Sequence, residues 1–200
     1  MTARTPAIVL LAALALAGAG PSLGGDPDWP CAQRLVPRLT AAALWTGPAP
    51  QGDWRAEPEV AELVGRIAPR AVRERDGVAA IERFAAPLDP AGRRRLLPLV
   101  FAGAVDETNR LRDGLIEQIK RFARRQRDLA EGVRGLEAEL RAMPADAGPE
   151  REELEQRRAF AAKAFTDANA TVRFACDAPV RLEARLGAYA RALAAALPTD

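Results

Sequence analysis

Residues 115–143, LIEQIKRFARRQRDLAEGVRGLEAELRAM, carry the clearest structural pattern in the sequence. Its apolar residues recur at alternating steps of four and three, and a single polar residue, Gln126, occupies one of these positions. The series is Leu115, Ile119, Phe122, Gln126, Leu129, Val133, Leu136, Leu140 and Met143. This spacing keeps one stripe of a helix facing a partner helix. It therefore predicts one helix of a coiled coil.

The partner helix is supplied by the same chain. Residues 143–149, MPADAGP, predict a turn, and a second series with the same steps, apolar except at Arg158, follows: Leu154, Arg158, Ala161, Phe165, Ala168, Val172 and Ala175. Folding the turn about Ala147 predicts these pairs: Leu140 with Leu154, Val133 with Phe160 or Ala161, Leu129 with Phe165, and Phe122 with Val172. The prediction is an all-α fold dominated by a long antiparallel helical hairpin.

The outgoing helix extends back to Pro90, with Asp89 as its cap, because no strong stop precedes Pro144. Its first apolar series ends at Leu115, where a step of four replaces the expected three and rotates the stripe by about 100°. Pro98 predicts either a kink or a later start of the helix, and it and the skip near Leu115 are candidate hinges. On the returning side, Pro179 predicts a break followed by a last helix from about Val180 to Leu197.

Two shorter helices are predicted before the hairpin. Val60, Leu63, Val64 and Ile67 repeat at helical spacing after Pro58, and Pro69 ends this helix. A second helix is expected from about Arg70 to Ala86, with Gly77 as a weak point. Together they are expected to complete a small bundle at the base of the hairpin.

Residues 20–57 are rich in proline, glycine and tryptophan. Such a composition predicts an extended arm, with one short helix at Thr40 to Trp45 capped by Thr40. The predicted organisation is a signal peptide at 1–19 and a single helical domain at 20–200. Within that domain, 20–57 form the arm, 58–88 the short helices, and 89–143 with 150–197 the hairpin.

The N-terminus predicts export to the periplasm or outside the cell. Arg4 precedes an apolar run from Ala7 to Ala17, and Ala17 and Ala19 suit a signal peptidase. The run is too short for a membrane helix. The chain has 29 Lys+Arg and 27 Asp+Glu, a near balance that argues against a nucleic-acid partner.

Histidine is absent, which excludes catalytic triads that use histidine and His-based metal sites. The two cysteines, Cys31 and Cys176, are far apart in the sequence. In an oxidising compartment they predict a disulfide, which would stabilise the fold by about 5 kcal/mol through chain entropy. It would pin the arm across the base of the hairpin.

Three segments carry a family resemblance: residues 28–31 (DWPC), 121–126 (RFARRQ) and 176–186 (CDAPVRLEARL). They resemble a family of short exported bacterial proteins of unassigned biochemical function. The resemblance extends over the arm and the last helix. It supports the pairing of the cysteines and implies no activity.

Two groups of residues are candidates for interaction. The basic run Lys120, Arg121, Arg124, Arg125 and Arg127 suits anionic lipid headgroups or an acidic partner. The alternative is a solvated face paired with Asp128, Glu131, Glu137 and Glu139. Trp29, Trp45 and Trp54 suit stacking on cell-wall sugars; the alternative is that they pin the arm onto the bundle.

The acidic cluster on the long helix consists of Asp106, Glu107, Asn109, Asp113 and Glu117. Its oxygens suit a hard cation, but the interleaved Arg110 and Arg112 favour ion pairs within the helix. Gln126 either fixes the register or faces a solvent gap opposite Asp167. We expect no catalytic, metal or cofactor site.

The sequence favours an exported binding or scaffold protein whose hairpin docks onto a protein partner. The alternative is a carrier of a hydrophobic small molecule or lipid between the base helices. An enzyme is not expected, because no nucleophile or cleft is paired with the carboxylates. The sequence leaves the oligomeric state open.

Overall fold

The structure, a computed structural model, describes residues 26–199 and shows an all-α fold in that part of the chain. The predicted signal peptide lies outside the described residues. The four helices are α1 (Pro58–Ile67), α2 (Glu74–Ala85), α3 (Pro90–Ala142) and α4 (Pro149–Ala195). The predicted class, an all-helical protein with a long hairpin, is confirmed.

Helices α3 and α4 form the antiparallel hairpin, and their pairing follows the predicted register. Gln126 donates a hydrogen bond of 3.2 Å from Nε2 to Asn169 Oδ1. Nearer the turn, Arg151 Nη1 donates to the Leu140 carbonyl at 3.2 Å. Phe160 points outward with 78% of its surface exposed, so the half-buried Ala161 takes the place opposite Val133.

The turn between these helices is Met143 to Gly148. Gly148 has φ of 60° and directly precedes Pro149, the first residue of α4. A positive φ suits glycine, and proline suits a first helical turn. The turn could therefore be predicted from the sequence.

Both internal prolines lie within continuous helices. Helix α3 begins at Pro90 with Asp89 as its cap and passes through Pro98. The predicted break at Pro179 is wrong, because α4 runs uninterrupted to Ala195. Proline removes one helical hydrogen bond, but both prolines are buried among packed neighbours, and that packing stabilises the helix on each side.

The base of the molecule is a four-helix bundle in which α1 and α2 cover the open ends of α3 and α4. Its core joins apolar residues of all four helices, several of them with no exposed surface: Val60, Val64, Ile67, Ile81, Leu97, Val100 and Leu193. Packing is closest at two glycines. A Cβ on Gly77 would lie 2.0 Å from Tyr189 Oη, and one on Gly103 would lie 2.6 Å from Val64 Cγ2.

Two predicted helix boundaries differ from the structure. Helix α2 begins at Glu74 rather than Arg70, because the preceding segment turns back and offers its carbonyls to Arg185 of α4. The short helix near Thr40 is a single 3-10 turn at Ala41–Ala43, and the Thr40 side chain does not cap it. A second 3-10 turn spans Trp54–Ala56.

No helix between residues 26 and 199 has both the length and the apolar content needed to cross a lipid bilayer.

Candidate functional site

The predicted disulfide is confirmed: Cys31 and Cys176 are bonded with a Cα–Cα distance of 5.6 Å. It lies in a small apolar cluster with Ile119 and Val172, and Trp29 packs against the same cluster. The base core reaches only to Val105 on α3, and Ile119 lies about 21 Å farther along the helix. The disulfide therefore pins the arm partway along the hairpin. The sequence analysis had placed this attachment across the base.

The basic run holds the arm in place. Lys120 Nζ lies 2.8 Å from Asp26 Oδ2, and Arg124 Nη1 lies 2.6 Å from Asp28 Oδ2. Arg127 also pairs with Asp28. The alternative, a face paired with Asp128, Glu131, Glu137 and Glu139, is wrong for these three residues, because the arm brings competing carboxylates to them. Lys120 also has an ion pair within α3, with Glu117 at 3.3 Å.

These ion pairs shift the pKa values of the groups involved. Hydrogen bonds from Arg124 and Arg127 hold the pKa of the Asp28 carboxyl below its usual range. The hydrogen bond from Lys120 does the same for the pKa of Asp26, and Asp26 in turn raises the pKa of Lys120. Of the candidate basic residues, Arg121 and Arg125 are exposed and have no ion-pair partner within residues 26–199.

The three tryptophans pack against the helices and so fasten the arm. Trp45 stacks on Phe101 with ring centroids 4.9 Å apart. Trp54 is 9% exposed, and its Nε1 donates to Asp106 Oδ2 at 3.0 Å. Trp29 Nε1 donates to the carbonyl of Gln33 at 2.7 Å. The faces that stacking on a sugar would use are thus largely covered by protein at Trp45 and Trp54.

A fourth anchor of the arm was missed by the sequence reading. Asn109 is 2% exposed, and its amide group pairs with both backbone groups of Leu39, at 2.9 and 3.0 Å. Arg112, also 2% exposed, donates to the Val36 carbonyl at 2.8 Å and pairs with Glu183 at 2.9 Å. The sequence analysis had assigned Asn109 to the acidic cluster and Arg112 to ion pairs within the helix, and nothing local indicates which arm residues they meet.

The acidic cluster on α3 is divided among separate partners. Asp106 accepts from Trp54 and Arg55, Glu107 pairs with Arg110, and Asp113 pairs with Arg38. Glu117 pairs with Lys120. Among the described residues there is no group of three or more potential ligands that could hold a metal ion.

The outer hairpin, residues 133–160, contrasts with this anchored region. From residue 124 to residue 171, a segment that the structure describes completely, Leu154 alone is buried. Its acidic tip, residues 137–155, has seven Asp and Glu against two arginines, a net charge of −5 in a chain whose total is +2. Much of the tip is unneutralised, because Glu155 alone of these seven carboxylates has an ion pair within the described residues.

Comparison of the chain with protein-family models, with curated proteins and with solved structures found no match.

Proposed function

We propose that this is an exported binding or scaffold protein whose outer hairpin docks onto a protein partner. The observation that carries the proposal is the near absence of buried residues between residues 124 and 171. A helical pair of this length projects about 40 Å beyond the disulfide and contributes little to the core. The disulfide supports export, because such bonds persist in oxidising compartments.

The chemistry of the outer hairpin favours a partner with a basic surface. The tip has a net charge of −5, and Phe160 on the adjoining part of α4 is 78% exposed. Arg157 and Arg158 lie between the acidic tip and Phe160. An acidic tip followed on the same helix by an exposed aromatic side chain suits an interface in which the ring enters a pocket and the charges of the tip orient the partner. The structural alternative for Glu150 and Glu152 is stabilisation of the N-terminus of α4. That explanation does not extend to Glu137 or Glu139, which lie near the end of α3.

The carrier hypothesis has no comparable support. The bundle core is filled by side chains of all four helices, and its central residues have no exposed surface. The clefts around the base are open to solvent and include charged side chains in their walls. None of these clefts is an enclosed apolar chamber of the kind that would hold a transported lipid.

Site-specific photo-crosslinking tests the proposal. A photoreactive phenylalanine analogue at position 160 should form a defined adduct in an extract of the source cell's exported proteins. The same analogue at Glu82, an exposed residue of the base, is the matched control. The adduct at 160 should weaken with added salt and in the E150K/E153K variant, since both reduce attraction to a basic surface.

Equal adduct yields from positions 160 and 82 would contradict the proposal. So would an adduct at position 160 whose yield changes neither with added salt nor in the E150K/E153K variant. Replacing residues 133–160 with a short glycine-rich turn should abolish the adduct that an analogue at the exposed Lys163, which the shortened chain retains, forms in the intact chain, while the base stays folded. Retention of base folding is checked by the thermal unfolding of the shortened chain.

A further inference from the structure

A cleft at the base combines positive charge with an apolar floor. It lies between the segment joining α1 to α2 and the base half of α4, and it has a volume of about 390 Å³. Val72, Ala178, Leu182 and Ala184 supply the apolar lining, and Arg70, Arg181, Arg185 and Glu74 supply the charged groups. Three cations against one carboxylate give the cleft a net positive charge. Its volume falls within the usual range for small-ligand sites.

Arg185 is the fixed part of this cleft. Arg185 is 7% exposed, and its Nη1 donates to the carbonyls of Pro69 at 2.8 Å and Val72 at 3.0 Å. Its Nη2 donates to the carbonyl of Ala68 at 2.7 Å, just past the end of α1. The guanidinium is therefore held rigidly and cannot swing into solvent.

The charge of Arg185 is only partly offset by the protein. The carbonyl dipoles at the end of α1 attract it, but no carboxylate in the described part of the chain forms an ion pair with it. A buried cation without an anion is unfavourable, so an anion that reaches it is favoured. Three of its five N–H groups donate hydrogen bonds to backbone carbonyls, which leaves two N–H donors for a ligand.

The other two arginines are poorly neutralised. Arg70 is exposed and has no ion-pair partner within residues 26–199. Arg181 has Asp177 at 3.9 Å, which is the limit of an ion pair, and its side chain is 55% exposed. Exposed arginines are common, and each alone would be a solvated side chain. Here both border the same apolar floor as the fixed guanidinium of Arg185.

We propose that this cleft binds a small organic carboxylate with an apolar body. A carboxylate accepts two parallel hydrogen bonds from a guanidinium, which matches the two donors left on Arg185. The hydrocarbon part would lie on Val72 and Leu182, where burial of apolar surface adds affinity. Inorganic anions lack this second part, and neutral amphiphiles lack the first. This inference does not depend on the proposed docking of the outer hairpin.

Titration with octanoate, followed by amide NMR of the folded, disulfide-bonded protein, tests the inference. Octanoate should shift the amide signals of Val72 and Leu182 in a saturable manner. The R70Q/R181Q variant should bind about tenfold more weakly, because two partly exposed charge contacts are lost. Arg185 is left unchanged in this test, since its replacement would uncap α1 and endanger the fold.

The matched control is R34Q/R191Q, which removes two exposed arginines away from the cleft and has the same net charge as the test variant. It should bind octanoate as the unmodified protein does. Equal affinity of both variants, or equal shifts with octanol, would overturn the inference. Sulfate that produces the same shifts at the same concentration would also overturn it, because the apolar floor would then have no role.

Discussion

The base and the outer hairpin are built from the same two helices but are stabilised in different ways. At the base, α1 and α2 bury the apolar stripes of α3 and α4, and glycines allow side chains to approach the backbone closely. In the outer hairpin the two helices pack only on each other within residues 26–199, and Gly132 and Gly135 have open space around them. A heptad pattern therefore predicts that two helices pair and does not predict how deeply the pair is buried.

Removing the disulfide should have the largest effect. In C31S/C176S the free energy of unfolding should fall by about 2–5 kcal/mol, because the unfolded chain regains the entropy of a loop that spans 145 positions. Denaturant unfolding measures the loss, and hydrogen exchange should locate it. Faster exchange near Ile119 and Val172, with Leu97 and Leu193 unchanged, would separate the middle of the hairpin from the base. Uniform acceleration would contradict that separation.

A pair of glycine substitutions on α3 compares the two regions directly. Gly103→Ala should destabilise the protein by about 1–3 kcal/mol, because the added Cβ meets Val64 and Trp54 in a filled core. Gly132→Ala, the matched control in the outer hairpin, should stabilise it by up to about 1 kcal/mol through helix propensity. Thermal unfolding measures both. Equal effects of the same sign would show that the packing difference is not real.

Tyr189 makes the base sensitive to alkaline pH. Burial raises the pKa of its hydroxyl above the ordinary value of 10.0, and the hydroxyl donates to the Ile67 carbonyl at 3.1 Å. Because the folded pKa is the higher one, this contribution is complete below pH 10.0 and is lost as the pH rises through the folded value. Tyr189→Phe should cost about 1–2 kcal/mol at neutral pH. Its stability should then fall less above pH 10.0 than that of the unmodified protein.

The ion pairs of Asp28 should give the smallest effect, confined to acid pH. Its folded pKa lies below the ordinary value of 3.8, so their contribution is complete above that pH and is lost as the pH falls through the folded value. Asp28→Asn should therefore flatten the loss of stability below pH 3.8. Asp146→Asn, at the exposed turn, is the control and should leave the acid profile unchanged. Identical acid profiles for Asp28→Asn and the unmodified protein would contradict a role for the pairs.

Features with local causes were readable from the sequence. The register of the hairpin follows from its apolar spacing and from the turn at Gly148, and the pairing of Gln126 with Asn169 agrees with it. The cysteine pair was readable because the chain has no other cysteines. Of the alternatives left open for the tryptophans, packing onto the helices is the one that the structure shows at Trp45 and Trp54.

Features that depend on distant partners were not readable. The ion pairs of Asp28 join residues 96 and 99 positions apart, whereas acids on the same helix lie much nearer to the basic run along the sequence. Arg185 of the proposed anion cleft meets carbonyls more than 110 positions away. Pattern reasoning sees only spacing along one helix, and these contacts arise between segments whose approach depends on the whole fold.

The amino-acid sequence alone was enough to predict an all-helical chain with a long antiparallel hairpin, a proline-rich arm and one disulfide, because periodicity, turn residues and cysteine count act locally. Only the folded chain shows that α4 continues through Pro179, that the basic run holds the arm, and that Arg185 is buried beside a cleft. In each of these cases, packing or charge contacts between distant segments outweigh the local preference of the residue.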